Sequence, residues 1–461
     1  MKKKIFTRFY MLAMLILFAT SSLQAQNWVN NQSTMMHTGL KTNLYAQKVE
    51  PYSDQYLVGI SKHLDSVKYC FSLWENNNHS VYESFIDTTG ISINDFTILG
   101  DSIYFCGNIE TAPNTWYGIL GRFNINDFLN DGNFNYSFVY IPGVIDLTRL
   151  VAYYSGTGNI SLMAIGHNTL NGTAPGRVVH LNYNINATNP SCQVFGCPFI
   201  SNTEKEIMHD ICFLDNEIVT LSHIYPTNKY IVRAYSNTST FSNIGKVVYS
   251  FPNYQFNVSS DVYEFPLRLT GISELKMAAC VSVINGSKYF TMVNILKRAS
   301  YYVLSTQLVS HYDKSNKPLE MEYSSECNKL LLLNDSYHVG KGMVQTITHL
   351  NPDSIADYYS VKDLFAKPNE LNHLSILPNK KYAVAGVTPL VPPSTPQMVS
   401  VRNIMSEPTS CVNNTKVMIN FVNMPNGAID STAGVLSSFI LGWNNGTATN
   451  SGEVINVYCY E

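Results

Sequence analysis

The residues best suited to bind a ligand are histidine, aspartate and arginine side chains that recur at two positions of a repeated sequence unit. Four histidines follow the second apolar run of a unit, and the other four residues stand near the start of the first run. These candidate ligand-binding residues are His63, His167, His223, His338, Asp95, Asp210, His373 and Arg149. A ring of such side chains around one axis could hold a metal or a polar ligand.

The same residue types also permit a purely structural interpretation. Acidic and histidine side chains at the start of a strand often hydrogen-bond the backbone of the next unit and set the spacing between units. Eleven histidines spread over a polar chain would also place some at these positions by chance. Both interpretations stay open at the level of sequence, and no metal or cofactor is predicted.

The familiar catalytic motifs are missing from the chain. There is no His-Glu-x-x-His zinc-binding helix motif and no Gly-x-Ser-x-Gly nucleophile elbow. Gly340-Lys341-Gly342 lacks the Ser or Thr of a phosphate-binding loop and is interpreted as a turn. The residues therefore favour a protein that is not an enzyme, although catalysis stays undecided.

Aromatic side chains offer a second kind of ligand contact. The chain has 30 tyrosines, and the rings of Tyr82, Tyr136, Tyr254 and Trp116 fall near predicted strand ends or loops. Flat apolar rings complement the C–H faces of sugars. A glycosidase would in addition need two carboxylates about 5–9 Å apart, and Asp95 and Asp210 are the pair that could supply them.

The elements that position these residues are short repeated strands. In each unit a polar residue precedes an apolar run, a tight turn follows, and a second apolar run ends in a small residue, as in Asn94–Gly107, His209–Ser222 and Asn372–Gly386. The second runs end at residues 59, 107, 166, 222, 282, 334 and 386, at intervals of 48 to 60 residues. Two further, more polar runs follow in most units.

Alternating aromatic and β-branched residues between Gly, Asn, Asp and Pro predict antiparallel strands. Four strands per unit, repeated seven times, predict an all-β fold, a β-propeller of seven four-stranded blades, with six or eight blades as alternatives. A lone four-stranded sheet cannot bury both faces, whereas radially stacked sheets cover one another. Two or three separate β-sandwich domains are the other arrangement that the pattern permits.

The repeat also resembles a known class of protein. An apolar run, a Gly-Asp, Asp-Asn or Pro-Asn turn and a second apolar run ending in Gly are similar to the degenerate repeats of secreted bacterial β-propellers. The period is similar to that of kelch-like blades, although the double glycine of kelch repeats is missing. The resemblance covers roughly residues 44–422, and it implies a fold rather than an activity.

The chain divides by pattern into four parts. Residues 1–25 have a cationic start, an apolar run and a small residue at position 25, which is typical of a secretory signal peptide. An N-terminal segment (26–43) precedes the predicted propeller (44–422), and a C-terminal β tail (423–461) follows it. Either the N-terminal segment or the tail could close the ring. Nothing after the signal peptide is long and apolar enough to be predicted as a membrane span.

Composition limits the partners of the exported chain. Only 14% of residues are charged, and loss of the four cationic side chains of the signal peptide changes the net charge from −3 to −7. An acidic chain without a basic block is not expected to bind nucleic acid. We expect a monomer that is periplasmic, extracellular or on the surface of a bacterial cell.

Nine cysteines follow the signal peptide, so at least one has no partner within the chain. Disulfides are expected in an exported protein, and the candidates by position are Cys192 with Cys197 and Cys411 with Cys459. Cys70, Cys106, Cys212 and Cys280 lie in apolar runs and are predicted to be buried thiols.

The sequence thus favours a non-enzymatic exported propeller that binds a protein or a glycan through one rim face. A carbohydrate-active enzyme with acidic residues at the mouth of the central channel is the first alternative. A structural component of the cell envelope is the second.

Overall fold

The computed structural model is built almost entirely of β-strands and confirms the predicted β-propeller. It describes residues 33–36, 44–53, 55–63, 68–75, 80–131, 133–156, 158–168, 176–184, 189–196, 205–214, 217–225, 229–236, 246–250, 268–273, 276–285, 288–297, 302–310, 315–338, 342–352, 360–362, 370–387, 397–404, 413–415, 418–421, 430–431, 435–450, 453–454 and 456–460. Within these ranges the chain forms 35 strands and one short helix.

Twenty-eight strands form seven four-stranded antiparallel units, which we call blades 1 to 7. The chain begins with β1 (Ser33–Met36), which belongs to blade 7. Blade 1 contains β2 (Leu44–Pro51), β3 (Tyr56–His63), β4 (Tyr69–Glu75) and β5 (Ser80–Ile86). Blade 2 contains β6 (Ile91–Leu99), β7 (Ser102–Ala112), β8 (Thr115–Asn124) and β9 (Phe134–Ile141). Blade 3 contains β10 (Asp146–Gly156), β11 (Asn159–His167), β12 (Gly176–Asn184) and β13 (Ser191–Gly196).

The remaining blades follow in chain order. Blade 4 contains β14 (Lys205–Leu214), β15 (Glu217–Tyr225), β16 (Lys229–Ser236) and β17 (Lys246–Ser250). Blade 5 contains β18 (Arg268–Ser273), β19 (Lys276–Asn285), β20 (Lys288–Lys297) and β21 (Tyr302–Ser310). Blade 6 contains β22 (Ser315–Ser324), β23 (Lys329–His338), β24 (Gly342–Leu350) and β25 (Ser360–Lys362). Blade 7 contains β26 (Glu370–Leu377), β27 (Lys381–Val387), β28 (Gln397–Asn403) and β1.

The blades form a closed ring around an axis lined by their first strands. The first strands of successive blades contact one another from β2 to β26, and β26 contacts β2 in turn. Strand β1 pairs antiparallel with β28 and supplies the outer strand of blade 7. The two ends of the propeller are therefore joined by main-chain hydrogen bonds within one sheet.

Apolar layers between neighbouring blades form the core. Phe71 in blade 1 packs its ring against Phe96, Phe105 and Phe123 of blade 2. Further buried clusters join blades 2 and 3, 3 and 4, 5 and 6, 6 and 7, and 7 and 1. Each four-stranded sheet thus covers the faces of its neighbours, which is the burial that an isolated blade lacks.

A β-bulge near the start of the first strand explains the small residue that ends the second apolar run. In blades 2 and 3 the residues opposite the bulge are Gly107 and Gly166. A Cβ atom at Gly107 would lie 1.9 Å from the carbonyl oxygen of Ser92, so no larger residue fits without a backbone shift. In blade 1 the equivalent residue is Ser61, two positions after the Gly59 that the repeat predicts.

The C-terminal tail circles the propeller as a fifth strand on the blades, and we call residues 413–460 the belt. Its strands are β29 (Asn413–Thr415), β30 (Met418–Phe421), β31 (Asp430–Ser431), β32 (Val435–Ile440), β33 (Asn444–Asn450), β34 (Glu453–Val454) and β35 (Asn456–Tyr460). They pair in order with the outer strands of blades 6, 5, 4 and 3, then with blades 2 and 1, and finally with blade 7. The belt therefore runs around the ring against the order of the blades.

Side chains anchor the belt where it passes from blade 3 to blade 2. The Arg122 guanidinium lies over the rings of Tyr183 and Trp443, 4.6 and 4.5 Å from their centres. Phe439 and Leu441 pack on the core between these blades. These contacts add apolar burial and cation–π attraction to the strand pairing.

One predicted disulfide is wrong. Cys192 is a free, buried thiol in β13, where it packs in the core between blades 2 and 3. Cys197 and Cys411 lie outside the described residues, and the side chain of Cys459 in β35 is not described, so Cys411–Cys459 stays a prediction. Cys70, Cys106 and Cys280 are buried thiols as predicted, and Cys212 is a partly buried one.

The helix α1 (Ile125–Asp131) connects β8 to β9 and packs Phe128 against the core. No helix among the described residues is long and apolar enough to cross a membrane. The predicted signal peptide lies outside the described residues.

We expect Trp443→Ala to lower the free energy of unfolding by about 2–3 kcal/mol, because it removes a large ring from the Arg122 contact and from the blade 2–blade 3 core. Ile440→Ala is the matched control, since this belt side chain is 83% exposed. Chemical denaturation with intrinsic fluorescence measures both. Equal effects of the two substitutions would contradict the role of Trp443 as an anchor.

Candidate functional site

The bulged first strands turn one residue of each blade toward the axis, and we call these seven residues the axial ring. In six blades the ring residue is the first one after the register shift of the bulge. In chain order the ring contains Lys48, Asp95, Arg149, Asp210, Arg268, Glu320 and His373. Positive and negative side chains alternate for the first six blades.

Ion pairs show that the ring residues converge. Lys48 Nζ lies 2.7 Å from Asp95 Oδ1 in the neighbouring blade. Glu320 in blade 6 binds Arg268 of blade 5, with 2.9 Å between Nε and Oε1, and Arg149 of blade 3, with 3.1 Å between Nη2 and Oε2. Because blades 3 and 6 stand across the ring from each other, the Arg149–Glu320 pair spans the axis.

The two aspartates of the ring also bind the backbone of the next blade. Asp95 Oδ2 accepts a 2.9 Å hydrogen bond from the Leu150 amide, and Asp210 Oδ2 accepts a 2.8 Å bond from the Leu269 amide. These are the contacts of the structural interpretation, in which a strand-start carboxylate sets the position of the neighbouring blade. The side chain at Asn372 makes a similar contact when its Nδ2 donates to the Ala46 carbonyl at 2.9 Å.

Burial and mutual attraction decide the charges of the ring. Burial opposes the charge of Glu320, but Arg268 and Arg149 outweigh it and lower the pKa of this carboxyl to about 2. Burial raises the pKa of Asp210 to about 6 against the pull of the two arginines. Burial also lowers the pKa of His373 well below its usual value, so the imidazole is neutral at pH 7. Three cations then face three carboxylates, and the ring neutralises itself.

A second layer lies two residues further along the first strands. Glu50 and Glu322 follow Lys48 and Glu320 by two positions and so project on the same strand face. Burial and the nearby Glu320 carboxylate raise the pKa of Glu322 to about 8, and burial raises that of Glu50. At neutral pH Glu322 therefore carries its proton.

The structure brings four of the eight candidate residues into the ring and places two others nearby. His167 and His223 lie near the ends of their second strands and are buried, with exposed fractions of 5% and 2%. Burial lowers the pKa of His167 to about 4, and the His223 ring lies 6.0 Å from that of His209. The side chains of His63 and His338 are not among those described.

Sequence reasoning missed Lys48, Arg268 and Glu320, which complete the ring. Each lies in a weak copy of the repeat, at the register that Asp95, Asp210 and His373 hold in the strong copies. Alignment of the weak copies on that register is the signal that would have found them. Among the described residues no group of three or more His, Cys, Asp or Glu side chains could hold a metal ion.

Asp95 and Asp210 are poorly suited to catalysis, because their carboxylates are engaged within the axial ring. Both carboxylates are buried, accept backbone hydrogen bonds and face cations of the ring. A glycosidase needs its two carboxylates free to meet the scissile bond. The arrangement is one that holds blades together.

A separate cavity lies between blades 1 and 2, and we call it the rim cavity. Its volume is about 410 Å³, and it lies on the face where first strands begin and second strands end. Its lining includes Lys62 and Tyr69 of blade 1, and Asn108, Glu110 and Trp116 of blade 2. Asp87, Thr88, Thr89 and Gly90 of the turn between β5 and β6 form one wall.

The aromatic residues singled out from sequence fall in different places. Trp116 is partly exposed and lines the rim cavity. Tyr136 is buried and donates a 2.5 Å hydrogen bond to Thr88 Oγ1 behind that cavity. Tyr254 lies outside the described residues, and the side chain of Tyr82 is not described.

No protein-family model and no curated protein matches this chain. Among solved structures, one match is Sqt1 of Chaetomium thermophilum, in a crystal structure with the N-terminus of ribosomal protein L10 bound. The two share 13% sequence identity over 77% of this chain and 85% of the other, with a TM-score of 0.43. The propeller assignment stands on the strand pairing described above.

We expect Glu320→Gln to lower the free energy of unfolding by about 3 kcal/mol, because it leaves Arg149 and Arg268 buried without their shared carboxylate. Glu326→Gln is the matched control, an exposed residue in the hairpin between β22 and β23, because Gln can still accept the hydrogen bond that the Lys380 amide donates to Glu326. Urea titration of both variants is the measurement. A loss no larger than that of the control would mean that the ring does not hold the blades together.

We expect a pH effect that depends on Glu322. Its pKa rises from 4.5 unfolded to about 8 folded, so the folded state binds the extra proton between these values and stability falls as the pH rises through 8. Between pH 6 and 8.5 the wild type should lose about 2.5 kcal/mol more than Glu322→Gln. Asp127→Asn on the exposed face of α1 should keep the wild-type profile, and identical profiles for all three proteins would refute the assignment.

Proposed function

We propose that this protein is an exported, non-enzymatic β-propeller that binds a glycan in the rim cavity. The observation that carries the proposal is the cavity itself, about 410 Å³ in volume and walled by Trp116, Tyr69 and polar side chains. Binding sites for small ligands have volumes of about 300–1,000 Å³ and combine apolar surface with a few polar groups. The partly exposed Trp116 ring supplies the flat apolar surface that a sugar ring covers.

An unsatisfied polar atom supports a ligand at this place. Asn108 lines the cavity with only 6% of its surface exposed, and its Oδ1 has no hydrogen-bond partner among the described residues. Its Nδ2 donates to Asp146 Oδ1 at 2.7 Å, which fixes the orientation of the amide. A buried acceptor without a partner is costly, and a sugar hydroxyl that reached this oxygen would satisfy it.

The pairing in the axial ring favours this site over the channel mouth. The carboxylates of the axial ring bind groups of other blades, whereas the rim cavity has polar groups that a ligand could bind. For the same reason the alternative of a carbohydrate-active enzyme gains no support. Export rests on the predicted signal peptide. A protein partner in place of a glycan is the alternative if no glycan binds.

We expect Trp116→Ala to weaken binding of an oligosaccharide found on a glycan array about tenfold, since one stacked ring contributes about 1–1.5 kcal/mol. Tyr154→Ala is the control, because this tyrosine is 58% exposed at the other end of the strands. Isothermal titration calorimetry measures affinity, and chromatography of the sugar should show no cleavage. Failure of every glycan to bind, or equal binding by Trp116→Ala, would overturn the proposal.

A further inference from the structure

The charged side chains of the rim cavity differ in whether they already bind another group of the protein. Lys62 and Lys68 line the cavity, and among the described residues neither ammonium has an ion pair or a hydrogen bond. The Lys62 ammonium lies 5.8 Å from the centre of the Tyr69 ring. Both side chains therefore keep their N–H donors for a ligand.

The two carboxylates of the cavity are held by the protein. Asp87 Oδ2 accepts hydrogen bonds from the hydroxyls of Thr447 and Thr449 on the belt, at 3.1 and 2.9 Å. Glu110 Oε1 accepts a 2.9 Å hydrogen bond from the Asn114 amide. The cavity thus offers a ligand two ammonium groups as donors, while each of its two carboxylates uses one oxygen as an acceptor within the chain and keeps its negative charge.

We propose that the rim cavity selects an acidic glycan, with the carboxylate of a uronic acid bound by Lys62 and Lys68 and a sugar ring stacked on Trp116. This inference rests on the proposed function and names the class of glycan. Ammonium–carboxylate hydrogen bonds are charge-assisted and stronger than neutral ones. The Asn108 oxygen then accepts from a hydroxyl of the same sugar chain.

An acidic glycan fits the site better than an acidic peptide. Peptides that bind propeller blades by strand addition need an unpaired strand edge. The outer edge of β5, beside the cavity, already pairs with β33 and β34 of the belt. The cavity is lined by side chains, with an aromatic ring for the apolar face of a sugar.

The test compares three probes of matched length on the full exported chain: oligogalacturonate, the neutral galacto-oligosaccharide and oligoglutamate. We expect oligogalacturonate to bind most tightly and to weaken as salt rises from 50 to 500 mM. Lys62→Gln and Lys68→Gln should each weaken it about tenfold and leave the neutral sugar unaffected. Lys380→Gln, an exposed lysine in the hairpin between β26 and β27 on the opposite face, should bind like the wild type.

The outcomes separate the two proposals. Equal binding of the acidic and neutral sugars, with Trp116→Ala weakening both, would overturn the acidic preference and keep the glycan site. Tightest binding of oligoglutamate with the same lysine dependence would replace the glycan by an acidic peptide. No binding of any probe or array glycan would overturn both. Circular dichroism and melting temperature of each variant show whether a loss reflects unfolding.

Discussion

The whole structure depends on the burial of each blade between its two neighbours. A four-stranded sheet has two apolar faces and cannot cover them alone, so each blade depends on its neighbours for stability. Clusters such as that around Phe71 supply this burial between blades. Strand β1 completes blade 7 by main-chain pairing, which ties the beginning of the propeller to its end.

Closure also brings seven first strands together at one axis, where their side chains are largely shielded from solvent. Charged side chains can stand there only if they are paired, because an unpaired buried charge is far more costly than a paired one. In the axial ring, positive and negative side chains alternate and pair, and Glu320 binds both Arg149 and Arg268. The charged side chains at the axis are thereby paired with one another across the blades.

The belt covers the outer strand edges of the blades at the periphery of the ring. Outer strands of blades expose unpaired backbone groups that invite association with other chains, and the belt pairs with them around the ring. It also shapes the rim cavity, because Thr447 and Thr449 hold Asp87 in the turn between blades 1 and 2. Remote parts of the chain therefore line one cavity, which no local pattern can show.

The sequence by itself determined the repeat, the strand type and the propeller, because alternating apolar residues and tight turns are local signals. It also located Asp95, Asp210, Arg149 and His373 at the right register. Only the tertiary structure decided which groups these residues pair with, and that Lys48, Arg268 and Glu320 join them in the axial ring. It also decided that Cys192 is a free thiol and which strands the belt pairs with. Pairing across the axis and along the periphery joins residues far apart in the chain, and periodicity carries no information about which of them meet.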